Sequence, residues 1–212
     1  MIHHGLGAVL AVILTAATAF AQVRYVKWDA TGANNGTSWS NAYATLVDAL
    51  AASSSGDEIW VSQGYYAPTD AWSSFNLKPG VSIYGGFGGT ETQRSQRLPA
   101  SRPTILTGAL DDGNCYHVLY ATGNMQWATI DGVTITGGVA DGIEIDSAGG
   151  GFVGEYVRNL NVINCTFVGN KAGKAGGAVF LFDESNGVYF ENCAFSQNAV
   201  GSLDKADRKS VV

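Results

Sequence analysis

The sequence predicts an all-β chain wound as a parallel β-helix, with an amphipathic helix near its N-terminus. Three observations carry that expectation. Charged residues make up only 14% of the chain while Gly fills 28 of 212 positions, roughly twice its usual share of about 7%. Aromatic residues stand at 11%, more than a disordered chain carries. Three segments of the second half also superimpose without gaps, the mark of a repeat architecture. A formal net charge of -6 argues against a nucleic-acid partner, since such proteins present a basic face.

The repeat carries the most information. Ala128, Ile130, Gly132, Val133, Ile135 and Gly138 align with Leu160, Val162, Asn164, Cys165, Phe167 and Asn170. These align in turn with Val188, Phe190, Asn192, Cys193, Phe195 and Asn198, at offsets of 32 and then 28 residues. Apolar residues alternate with period two, as in a strand with one buried face. The alternation slips at the Asn or Gly, where the next residue is again apolar. Both apolar sets stay inside only if the chain turns sharply there, and Gly and Asn accept the left-handed backbone such a turn needs. A second bend is expected at Gly138, Asn170 and Asn198. Ala148–Val153 and Ala175–Leu181, each opened by a Gly pair, are expected to supply a third strand per coil. Coils of this kind stack at roughly 4.8 Å, so like residues sit over like: Asn164 over Asn192, Asn170 over Asn198, Phe167 over Phe195. An antiparallel sandwich is the rival fold, but it has no reason to repeat side chains in register.

The remaining elements follow in chain order. Met1–Ala21 has a 15-residue apolar run, Gly5–Ala19, and the small-x-small site Ala19-Phe20-Ala21, so it reads as a secretory signal peptide. A retained N-terminal anchor is its rival. Residues 22–56 are expected to form an N-terminal cap, with Ser40 capping a helix whose apolar face is Tyr43, Leu46, Val47 and Leu50. Such a plug covers the open end of a solenoid. Coils are expected over 57–200, beginning with the strand Asp57–Val61 and continuing through Val81–Phe87, Thr104–Leu106 and Tyr116–Tyr120. Gly88–Pro103 is polar and is expected to loop out. Residues 201–212 read as a non-native or disordered tail. Asp207–Val212, written as GAT CGG AAG AGC GTC GTG, matches part of a sequencing adapter, so the coils are expected to be truncated.

Several stretches resemble a known group. Tyr25-Val26-Lys27, Gly36-Thr37-Ser38-Trp39, Gly56-Asp57-Glu58-Ile59-Trp60-Val61 and Gly64-Tyr65-Tyr66 resemble the start of secreted bacterial right-handed parallel β-helix repeat proteins of the pectin-lyase-like fold. Phe167-Val168-Gly169-Asn170 with Gly176-Gly177-Ala178-Val179, and then Phe195-Ser196-Gln197-Asn198, resemble the short repeats of chlamydial polymorphic outer-membrane proteins. The resemblance implies a right-handed coil, export, and a surface or outer-membrane location. Attachment to a membrane would run through a C-terminal region that this chain lacks.

Two functional classes compete. Lyases of this fold use clustered acids to hold calcium, with Arg or Lys abstracting a proton, and hydrolases use neighbouring carboxylates. Asp111-Asp112 precedes Gly113-Asn114, a sequence more typical of a turn. Asp141, Glu144 and Asp146 can converge on one strand face, and Ca²⁺ is the one cofactor they suggest. His117 alternates with apolar neighbours and is expected to face solvent. No recognisable catalytic set emerges.

The other class is a binding module for adhesion or carbohydrate, its partner an extracellular polysaccharide or cell-surface glycan. Trp60, Tyr65, Tyr66, Trp72, Tyr84 and Trp127 are the aromatic candidates. The binding residues expected overall are Asp141, Glu144, Asp146 and Trp127. Binding is the favoured reading, and a lyase or hydrolase acting on acidic polysaccharide the alternative. Cys165 and Cys193 share one slot in successive coils, with Cα atoms about 4.8 Å apart, inside the disulfide range of about 4.4–6.8 Å. A disulfide and a stack of free thiols fit equally well. Cys115 has no evident partner, and no Cys or His set has metal-ligand spacing.

Overall fold

The computed structural model describes residues 21–201. The segment expected to be a signal peptide, up to Phe20, and the tail after Gly201 lie outside the described residues.

The chain winds as successive turns of parallel strands. The first elements are β1 (Val23–Val26), α1 (Leu46–Ala52), β2 (Glu58–Ser62), β3 (Gly64–Tyr66), β4 (Phe75–Asn76) and β5 (Ser82–Phe87). Next come β6 (Thr104–Thr107), a hairpin of β7 (Ala109–Leu110) and β8 (Gly113–Asn114), then β9 (Leu119–Asp131), β10 (Val133–Thr136) and β11 (Val139–Ala140). The repeats continue with β12 (Phe152–Ile163), β13 (Thr166–Val168) and β14 (Lys171–Ala172). The last turn contains β15 (Val179–Phe182), β16 (Val188–Glu191), β17 (Ala194–Ser196) and β18 (Ala199–Val200). Three parallel sheets line the coil. One runs β1-β2-β5-β9-β12-β15, with β16 also on β12 and β4 on β9; another runs β3-β6-β10-β13-β17; the third is β11-β14-β18. Among the described strands only β7 and β8 pair antiparallel, which excludes the sandwich.

Register confirms the stacking in detail. Tyr66, Leu106, Ile135, Phe167 and Phe195 are partners in sequence across the five-stranded sheet. The first four are buried in the core. The rings of Phe167 and Phe195 lie 5.0 Å apart and within 8° of parallel. Ile59, Ile83, Ile130, Val162 and Phe190 form a second inward row. Each row buries one apolar side chain per coil except in the last, where Phe190 and Phe195 are exposed, and full burial stabilises by about 1.5–3 kcal/mol per large side chain.

The first corner is built as the pattern requires. Gly132, Asn164 and Asn192 occupy it with φ of 74°, 52° and 52°. At the second corner the left-handed residue stands one position earlier than expected, at Gly137, Gly169 and Gln197. The following Asn is thereby freed to turn its side chain inward. Asn170 is fully buried. Its Oδ1 accepts from Gly138 N at 3.1 Å, while its Nδ2 donates to Ile135 O and Asn198 Oδ1, each at 3.0 Å. Asn198 Nδ2 donates to Phe167 O at 2.8 Å, and Asn114 Nδ2 to Gly137 O at 2.8 Å. A buried amide file thus satisfies the backbone groups that a corner removes from the sheet ladder. Gly138 meets a separate demand, because a Cβ there would stand 1.7 Å from Gly150 O.

Four expectations need correction. The Gly-rich stretches do lead into strands, Phe152 opening β12 and Val179 opening β15, but not a coil's third, because the short strands β11 and β14 come before them. Periodicity alone missed this, since a two-residue strand has no period. The sheet begins before Asp57, because β1 pairs with β2. Ser40 caps nothing helical. Tyr43 exchanges backbone hydrogen bonds with Tyr25 and Lys27 in extended form, so the helix starts later, at Thr45, whose Oγ1 accepts from Asp48 N at 3.1 Å. Leu46, Ala49 and Leu50 are its buried face. Finally, His117 is buried, with Nδ1 at 3.1 Å from Gly149 O and Nε2 at 3.4 Å from Asp146 Oδ1.

Replacing Asn170 by Ala removes the acceptor of Gly138 N and a donor to Ile135 O, and a buried group left without a partner costs about 1–3 kcal/mol. Asn170→Ala should therefore lose about 2–4 kcal/mol in urea denaturation, whereas Asn192→Gly, at an exposed left-handed corner, should lose about 0.5 kcal/mol or less. Equal losses would contradict the ladder.

Candidate functional site

The outward row of the five-stranded sheet is Tyr65, Ile105, Thr134, Thr166 and Ala194, one residue from each of five coils. Alternation puts these side chains on the face opposite the Tyr66-to-Phe195 core row. Beside them runs a groove in two hollows that share Pro103. One, of about 540 Å³, is bounded by Trp28, Tyr65 and Ile105. The other, of about 600 Å³, is floored by Thr134, Thr166, Asn164 and Asn192, with Arg94 and Arg97 on its wall. Trp28 and Tyr65 are 60% and 72% exposed, an unusual cost for rings with apolar area to bury.

The wall is the Gly88–Pro103 segment, which the sequence suggested would simply loop out. It is pinned to the coil by ion pairs instead. Glu91 is buried, and its carboxylate accepts from the backbone N–H groups of Gly88, Gly89 and Thr90 at 2.8, 3.0 and 3.0 Å and pairs with Arg102. Burial alone would raise its pKa; the backbone donors of Gly88, Thr90, Glu91 itself and Gly89 outweigh that and hold it below the ordinary value. Trp39 Nε1 donates to Glu91 O at 2.8 Å. Arg97 pairs with Asp131 and reaches Asp131 O at 3.3 Å, and Arg94 pairs with Glu58 at 2.6 Å. Both arginines lie over the Tyr84 ring, at 4.5 and 5.5 Å from its centroid. The other Asp131 oxygen accepts from Asn164 Nδ2 at 2.9 Å, and Asn164 Oδ1 from Asn192 Nδ2 at 2.6 Å. A polar chain therefore runs Arg97–Asp131–Asn164–Asn192 along the groove.

The binding residues expected from sequence fall elsewhere. Asp141, Glu144 and Asp146 do not share a strand face: they occupy a loop and a short 3-10 turn, Glu144–Ser147. Asp146 is turned to His117, and Glu144 is exposed. Among the described residues no group of three or more His, Cys, Asp or Glu is placed to hold a metal ion. Trp127 is 57% exposed and stacks on Tyr189 at 6.0 Å, but on β9 of the eight-stranded sheet rather than in the groove. Its φ of 61° shows that it turns outward at a corner. Trp60, Tyr66 and Tyr84 are buried; Trp60 stacks on Phe87 at 4.8 Å, beneath Tyr25 and Trp39. Asp111 and Asp112 sit in the β7–β8 turn and border a further hollow with Asp70 and Trp72. Trp28, the residue that sequence reasoning missed, stands two residues past the end of the short strand β1, and only the fold brings it to Tyr65, whose neighbour Gly64 leaves room for the indole.

Cys165 and Cys193 stand as free thiols in successive coils. They share a hydrogen bond that, as the chief cause, holds the Cys193 thiol below the ordinary range and pushes Cys165 well above it, with burial adding to the latter. Burial pushes Cys115 up to about 12.

No protein-family model and no curated protein matches this chain. Among solved structures it is similar to the crystal structure of pectate lyase Pel9A, with a TM-score of 0.50 and 16% identity, over 92% of this chain and 57% of that one. The likeness establishes the class: this is an all-β parallel β-helix. The chain spans little more than half the length of that neighbour.

Two measurements check the site. The Glu91 contribution should be complete above the unfolded glutamate pKa of about 4.3 and should vanish as pH falls through the lower folded value. Cleavage within 88–103 by an acid protease, scaled to its activity on an unfolded substrate at each pH, should therefore rise steeply in that window, and a neutral protease should cleave Glu91→Gln there at pH 7; a flat profile would remove Glu91 as the anchor. In reduced native protein at pH 7, iodoacetamide should modify Cys193 first, with Cys115 and Cys165 reacting only on unfolding. Simultaneous reaction of all three would show that the pair is not built as described.

Proposed function

We propose that this chain is an exported β-helix module that binds carbohydrate at the cell surface, for adhesion or retention of a polysaccharide, through the groove on its five-stranded sheet. One observation carries the reading: exposed aromatics, Trp28 and Tyr65, lie end to end with a row of hydroxyl and amide groups, Thr134, Thr166, Asn164 and Asn192. Sugars present both apolar ring faces and hydroxyl edges, and aromatic rings beside small polar groups match both. Export rests on the signal-like Met1–Ala21 segment, and display on an outer surface on the resemblance of the repeats.

The alternative, a lyase or hydrolase on this scaffold, draws on the fold shared with a pectate lyase. Binding is favoured because each arginine on the groove wall is already engaged by a carboxylate, Arg94 by Glu58 and Arg97 by Asp131, rather than standing ready as a base. A glycan panel separates the two readings. Retention without product, weakened by about 1 kcal/mol in each of Trp28→Ala and Tyr65→Ala, supports the module. Release of unsaturated or shortened oligosaccharides would establish the enzyme instead.

A further inference from the structure

We infer that the groove takes an uncharged polysaccharide chain, not an acidic one; the inference rests on the carbohydrate-binding reading and specifies its ligand. The first ground is charge. Every arginine of the 88–103 wall has a carboxylate of its own: Arg94 with Glu58, Arg97 with Asp131, Arg102 with Glu91. Lys27, next to Trp28, pairs with Asp29. The Arg97–Asp131 side chains are only 17% and 11% exposed. A uronate that captured Arg97 would strand Asp131 half out of water, and breaking such a pair is strongly unfavourable. Asp131 has no slack to give, because its second oxygen is held by Asn164. The exposed Arg94–Glu58 pair is weaker and more easily exchanged, but it lies at one edge and serves a single ligand unit at most. The chain's net charge of -6 further repels a polyanion at long range.

The second ground is what the groove does offer. Among the described residues, the hollow at Trp28 and Tyr65 is lined by no carboxylate and no cation. The other hollow is floored by Thr134 and Thr166, register partners in adjacent coils, and by the Asn164–Asn192 amide pair. Hydroxyls and amides donate and accept without carrying charge, and they recur at the coil spacing of about 4.8 Å. A periodic row of neutral donors and acceptors, ending on two exposed rings, suits a repeating polymer with uncharged hydroxyls. An anionic polymer would instead need unpaired cations at each repeat.

Affinity electrophoresis of the 212-residue protein tests this, with xyloglucan, mixed-linkage β-glucan and galactomannan against polygalacturonate and alginate, each at low and high sodium chloride. At least one neutral polymer should retard the protein, with no change on adding salt, while the polyanions do not. Trp28→Ala and Tyr65→Ala, both exposed and checked for unchanged thermal melting, should weaken that retardation by about 2- to 12-fold each. Retardation by a polyanion that salt abolishes would overturn the uncharged ligand and leave the binding module standing. Neutral binding that survives both aromatic changes but is lost in Trp127→Ala would overturn the groove as its location. Absence of retardation by every polymer would overturn the proposed function together with the inference.

Discussion

In-register stacking of one coil on the next is the constraint from which the rest of the molecule follows. A parallel coil can bury its apolar rows only if each turn repeats the shape of the turn below, and the corners are where that is hardest. Strand hydrogen bonds cannot continue around a sharp bend. The molecule answers with two devices at two positions: a left-handed residue that makes the bend, and an inward Asn that accepts and donates to the backbone left without partners. Asn170 and Asn198 are polar residues among Phe and Val for this reason. Among the described residues no buried side-chain nitrogen or oxygen lacks a partner, as an interior of low dielectric demands.

The same logic explains the wall of the groove. An inserted segment of polar sequence would drift from a smooth coil unless something held it. Glu91 gathers neighbouring backbone N–H groups and Arg102 into a closed turn, and two arginines, Arg94 and Arg97, fasten the segment to Glu58 and Asp131 of the coil. These charges are spent on architecture. What remains facing the groove is the neutral chemistry of the sheet itself: threonine hydroxyls, asparagine amides, and the rings that the first two coils leave uncovered. The fold neighbour acts on pectate by its name, yet a shared scaffold does not carry a shared site.

Aromatic residues divide along similar lines. Trp60, Tyr84 and Phe87 point out of the coil but are roofed by Tyr25 and Trp39, so they weld the N-terminal segment to the first turns. Phe167 and Phe195 stack along the axis. Trp28, Tyr65, Trp72 and Trp127 stay open. Composition counts all of these alike, and only the path of the covering segments distinguishes them.

The repeat of apolar pairs around Asn or Gly was enough, by itself, to determine a parallel coil with its core rows and its first corner, because period-two alternation and left-handed tolerance are local properties. It also placed Phe167 over Phe195 and Asn170 over Asn198. It did not reveal the two-residue third strands, which are too short to show a period, nor that His117 is enclosed by Gly149 and Asp146 from a later turn. The groove belonged wholly to tertiary structure. Trp28 and Tyr65, or Arg97 and Asp131, are separated along the chain by residues that carry no shared pattern, and they meet only because successive coils return to the same place.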